Sequence, residues 1–126
     1  METMNGTTLA YIGDAVMSLK TREYLVDLGY RHPKILQKKS EGYVSAKSQA
    51  RYLKIMSDNN FFTEEELYII KKGRNAKTNT IAKNADMITY RFATGMEALW
   101  GFLHLEKRYE RLDEIWQEII QIGVLK

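Results

Sequence analysis

The chain has 126 residues and a mass of 14.7 kDa, the size of one ordinary domain. A content of 44% hydrophobic and 28% charged residues, with one proline and eight glycines, excludes collagen-like and low-complexity disordered classes. The absence of cysteine excludes a disulfide scaffold, thiolate zinc and thiol catalysis. No stretch approaches the roughly 20 apolar residues of a membrane helix. Residues 1–10 lack the basic and apolar regions of a secretory signal. A protein with no membrane partner is the expectation. The formal charge of +3 hides an asymmetry. Residues 31–83 hold twelve Lys/Arg against five Asp/Glu, and the rest holds seven against eleven. A basic middle raises the expectation of a polyanionic partner.

The pattern predicts an all-α fold in one domain spanning 1–126. Leu9, Ile12, Val16 and Leu19 recur at helical spacing, and Tyr24 to Leu28 carries the helix on toward a stop at Gly29. Pro33 suits the first turn of the next segment. Val44, Ala46, Ala50, Leu53 and Met56 form an amphipathic stretch that Asp58-Asn59-Asn60 breaks. Thr63 followed by Glu64, Glu65 and Glu66 reads as a cap with acids in the first turn. That helix carries Leu67, Ile69 and Ile70 and meets Gly73. Gly29, Gly42 and Gly73 read as helix punctuation. Residues 74–83 read as a polar loop or frayed helix end. A long helix is expected from about Asn84 to Leu105, with Ile88, Phe92, Gly95, Leu99, Phe102 and Leu103 on one side. Leu112, Ile115, Trp116, Ile119 and Ile120 make a last helix. No strand alternation, repeat or linker stands out.

Three features could carry chemistry. His32 and His104 do not, because they share no short metal-ligand spacing and no nucleophilic serine accompanies them. Asp14 follows Gly13 inside the apolar run LAYIGDAVMSL, and on a helical wheel it points away from the Leu9/Ile12/Val16/Leu19 stripe. That reads as a solvated acid. Glu97 lies in TGMEALW, on a side with Asp86, Tyr90, Ala93, Thr94 and Gly101 that is small and polar. It reads either as a hydrated or paired glutamate or as one that something can approach. Magnesium needs hard oxygen ligands and often takes only one or two from protein. The segment KKGRNAKTNTIAK, with Lys71, Lys72, Arg74, Asn75, Lys77 and Lys83, carries five cations, no acid, and amide and hydroxyl groups. It can contact phosphates and sugar hydroxyls, or be a solvated loop. Lys34, Lys38, Lys39, Lys47, Arg51 and Lys54 read largely as plain surface cations.

The motifs LAYIGDA, KKGRNAK, KNAD and YRFATGMEALWGFLHLE, in that order, resemble the Mini-III branch of the ribonuclease III family. They span nearly the whole chain. The resemblance implies a helical ribonuclease III catalytic bundle, a homodimer whose valley holds double-stranded RNA, and one magnesium-dependent site per subunit. It implies no double-stranded-RNA-binding domain, a fit with the roughly twenty residues that follow Glu106. It implies maturation of precursor large-subunit ribosomal RNA in the cytoplasm, and leaves open help from a ribosomal protein. Asp14 and Glu97 match the motif's catalytic, metal-holding carboxylates. Larger relatives carry two more, one turn before each. Here those positions are Ala10 and Thr94, so the site is expected to hold two acids. Lys71, Lys72, Arg74, Asn75, Lys77 and Lys83 are then the expected RNA contacts. The alternative is an inert ribonuclease III-like RNA-binding or scaffold domain, which the presence of both carboxylates disfavours. A helical nucleotide pyrophosphohydrolase is disfavoured by the lack of an ExxE-type acidic repeat.

Overall fold

The computed structural model describes residues 4–76 and 85–124. Lys77, Lys83 and the expected helix start at Asn84 lie outside the described residues. Six helices follow one another: α1 (Gly6–Asp27), α2 (Pro33–Val44), α3 (Ala46–Asp58), α4 (Glu64–Arg74), α5 (Ala85–Leu105) and α6 (Tyr109–Ile122). There is no strand among the described residues. The all-α expectation holds.

Most boundaries have a local cause. The Asn5 side chain accepts a hydrogen bond from the Thr8 amide at 2.8 Å and opens α1. Gly29, at φ +104°, turns the chain after α1 in a conformation that a side chain resists. Pro33 occupies the first turn of α2, behind a His32 cap. Ser45 ends α2 and caps α3, which splits the stretch expected from Val44 to Met56. Thr63 and Glu66 form a reciprocal capping box at α4, with bonds of 3.1 and 3.0 Å.

Helix α5 is the axis of the bundle. It packs most extensively on α1, then on α4 and α3, with α6 closing one end. Met96, Ala98, Leu99, Trp100 and Leu103 are all buried on it, against Leu9 and Met17 of α1, Tyr52 and Met56 of α3, Ile69 and Ile70 of α4, and Ile115 and Trp116 of α6. Burial on nearly every side explains why α5 is the most apolar helix of the chain.

The structure corrects several expectations. The buried stripe of α1 is Leu9, Ala10, Gly13, Met17, Thr21 and Leu25, whereas Leu19 is 58% exposed. Ile88 and Leu67 also face outward. Gly42 and Gly73 do not punctuate helices. Gly42 lies within α2, and Gly73 lies within α4 where that helix touches α5. Gly73 was misread because glycine at a close helix crossing carries no hydrophobic signal.

Candidate active site

The site follows from how α1 and α5 cross. A Cβ on Gly13 would collide with the Glu97 carbonyl oxygen, and one on Gly101 with the Leu9 carbonyl oxygen. The two glycines therefore let the backbones touch, with Gly13 against the turn from Glu97 to Gly101. Asp14 is the next residue after the contact on α1, and Glu97 stands at the contact on α5. The carboxylates, 83 positions apart in sequence, are thereby forced together.

Their environments differ. Asp14 is exposed, whereas Glu97 is half-buried. Burial pushes the Glu97 carboxyl up to about 8, and the neighbouring Asp14 carboxylate adds to this by repulsion and by sharing a proton. None of the described ion pairs involves either acid. Of the readings considered from sequence, the ion-paired glutamate finds no partner among the described ion pairs. Strongly shifted acids cluster at functional sites.

Two carboxyls in contact, one exposed and one half-buried beside it, share a proton at neutral pH, and ionising both would set two negative charges on adjacent hard oxygens. A divalent cation would remove the repulsion and favour both charged forms. The pair fits a small hard cation that keeps much of its water. Among the described residues, no group of three or more His, Cys, Asp or Glu side chains comes together. The candidate site is described by the Asp14–Glu97 pair. Ala10 is buried in the core, and the Thr94 hydroxyl donates to the Tyr90 carbonyl at 2.9 Å.

The basic end of α4 sits beside this centre. A Cβ on Gly73 would lie 2.8 Å from the Gly95 Cα and the Thr94 carbonyl oxygen, so α4 meets α5 one turn before Glu97. Lys71 and Arg74 are exposed, Lys72 is half-buried, and Asn75 caps the helix. The Arg74 guanidinium lies 5.0 Å from the centroid of the Phe92 ring. Of the six RNA-contact residues expected from sequence, four are therefore gathered at one helix end, and Lys77 and Lys83 lie outside the described residues. Sequence reasoning missed the role of Gly101 and of the Gly73–Gly95 contact. Their signal was a set of glycines on three helices, visible but not distinguishable from punctuation without the crossing geometry.

Comparison with known proteins identifies the family and the fold. The family profile described as the Ribonuclease III domain matches residues 7–108, which include both carboxylates and the α4 end. The chain is 50% identical over 112 residues to Mini-ribonuclease 3 of Enterococcus faecalis, covering 89% of this chain and 85% of that one. It is 49% identical over 119 residues to Mini-ribonuclease 3 of Staphylococcus aureus, covering 94% and 89%. A crystal structure of a Fusobacterium nucleatum protein superimposes with a TM-score of 0.84 at 30% identity, covering 96% of this chain and 97% of that one.

Proposed function

The chain belongs to the Mini-III branch of the ribonuclease III family, and from that ground we propose that it is a magnesium-dependent endonuclease of double-stranded RNA with Asp14 and Glu97 as its catalytic pair. The observation that carries the assignment is Glu97, half-buried beside Asp14 with no cation paired to it among the described ion pairs. A protein holds such a pair at a cost to folding, and the cost is explained if the pair binds a cation for chemistry.

Asp14 and Glu97 would hold the magnesium ion, whose role is to lower the pKa of a bound water and neutralise charge building on the phosphate. The rest falls to the protein. Half-buried Glu97 supplies a carboxylate from a stretch of α5 whose backbone is held against Gly13. Exposed Asp14 stands at the mouth, where a phosphate can reach it. Lys71, Lys72, Arg74 and Asn75 orient the RNA backbone, with Lys77 and Lys83 extending the same basic segment. The duplex is recognised by A-form shape and 2′-hydroxyls, since its deep major groove is closed to side chains.

The proposed assembly is a homodimer forming one catalytic domain pair, and the proposed substrate is precursor large-subunit ribosomal RNA in the cytoplasm. Tyr11 supports the dimer. It lies three residues before Asp14 on α1 and is 78% exposed, and Ile88 on the first turn of α5 is 59% exposed. Large apolar groups left exposed on the two helices that carry the candidate acids favour a covering copy.

Cleavage of a long RNA duplex with magnesium, with and without chelator, tests the assignment. The wild type should cut only with metal, and Asp14→Asn should be slower by at least about 10²-fold. A wild type that leaves the duplex intact would favour an inert scaffold. A D14N variant that cuts equally fast would remove Asp14 from the mechanism.

A further inference from the structure

Helices α3, α4 and α5 enclose an open groove of about 430 Å³. Its rim carries Lys54, Lys71 and Arg74, and its floor includes Leu53, Ile70 and Phe92. Lys54 is the unexpected member. In sequence it looks like any surface lysine, yet folding places it with two cations of the α4 end. The rim has a single acid, Asp58, bound to Lys54 at 3.4 Å with both side chains about 70% exposed. An exposed pair of that kind is worth little and leaves Lys54 ready to exchange partners. Neither Lys71 nor Arg74 makes an ion pair among the described residues.

Arg74 is held rather than free. Its guanidinium stacks on Phe92, and a Cβ on Gly95 would come within 2.8 Å of its Cγ, so the stem lies along bare α5 backbone. Stacking on an aromatic face leaves the edge donors of the guanidinium available for a phosphate and reduces the freedom lost on binding it. Gly95 is two residues from Glu97, so the groove is continuous with the catalytic helix.

We infer that this groove is a phosphate-backbone contact for the RNA duplex, made by Lys54, Lys71 and Arg74, with Phe92 as the positioning residue that holds Arg74. The inference rests on the proposed action on duplex RNA and adds to it a third helix, α3, and a ring that touches no RNA. The charge of the rim selects the occupant. A second copy of this chain would have to set its own surface against three cations.

The test is binding of the metal-free full chain to a labelled RNA duplex of more than two helical turns, over a series of salt concentrations. K54A and K71A should each raise Kd by roughly 3- to 10-fold and flatten the slope of log K against log salt by roughly 0.7–0.9, the loss of one phosphate contact. Melting temperatures should not move, because both side chains are exposed. F92L should weaken binding in the wild-type background and add nothing to R74A, whereas F92Y, which keeps the ring, should bind like the wild type. If R74A is impaired while K54A keeps wild-type affinity and slope, the groove is off the RNA path although the α4 end is on it. If F92L and R74A add fully, Phe92 does not act through Arg74. If L67A or K54A lowers the sedimentation coefficient and leaves RNA binding intact, the groove is a contact between copies and the inference is overturned. A wild type that binds no duplex overturns both this inference and the reading beneath it.

Discussion

Replacing Glu97 by glutamine should stabilise the metal-free protein at neutral pH, and by an amount that depends on pH. In the folded chain the carboxyl is pushed from 4.5 up to about 8, by burial first and by Asp14 second. The folded state therefore binds a proton more tightly than the unfolded state. A group shifted in that direction contributes its full stability below about pH 4.5 and loses it as pH rises toward 8. Each tenfold change in proton affinity is about 1.4 kcal/mol, so the loss has a ceiling of about 5 kcal/mol at pH 8. Water reaching the pair from the exposed Asp14 side reduces it, and about 2–4 kcal/mol is the expected figure. Glutamine has the same shape, carries no charge and can donate to Asp14. Urea unfolding in EDTA at pH 5 and pH 8 reads the effect directly. The wild type should lose about 2–4 kcal/mol relative to E97Q between those pH values, with the two nearly matched at pH 5. Magnesium added at pH 8 should raise the wild-type midpoint and leave E97Q little changed. Parallel pH profiles for the two proteins would refute the claim that the fold holds an uncompensated acid here.

Gly101→Ala should cost about 2–4 kcal/mol, because its Cβ meets the Leu9 carbonyl oxygen and one backbone must withdraw from the other. The same shift moves Asp14 away from Glu97, so cleavage should fall further than stability explains. Far from the site, Glu66 is 3% exposed and Arg111 binds it through two bonds of 2.7 and 2.8 Å. Burial pushes the Glu66 carboxyl up, but the bonds from Arg111 and the Thr63 amide outweigh that and hold it low, so its contribution is present at neutral pH and lost on acidification. Arg111→Met should therefore lower stability by about 3–5 kcal/mol at pH 7, measured by urea unfolding, since it leaves a buried charge alone. Tyr11→Ser should shift a sedimenting dimer toward monomer without loss of helix signal. A wild type that is already monomeric at micromolar concentration would remove the covering copy from the model of assembly.

The outline of the fold was legible because its boundaries are written in local chemistry. The Thr63–Glu66 box, Pro33 and Gly29 each act within a few residues, so a reader of the sequence needs no tertiary knowledge to place them. The α1 stripe was misread for the opposite reason. Hydrophobic periodicity favoured Ile12, Val16 and Leu19, yet the buried line runs through Gly13, Met17 and Thr21, because α1 meets α5 by backbone contact at a residue with no side chain. A hydrophobic template scores glycine as blank, so this backbone contact was invisible to it. The same blank concealed the site. Judged on α1 alone, Asp14 is a solvated acid, and the structure agrees that it is exposed. What periodicity could not supply is the neighbour. Only the crossing at Gly13 and Gly101 sets Glu97 beside it and turns two ordinary carboxylates into a strained pair. Resemblance of the motifs identified those residues, but it is the pair of glycines that explains why the motif spells GDA and EALWG: the small residues make the approach, and the acids beside them inherit its consequence.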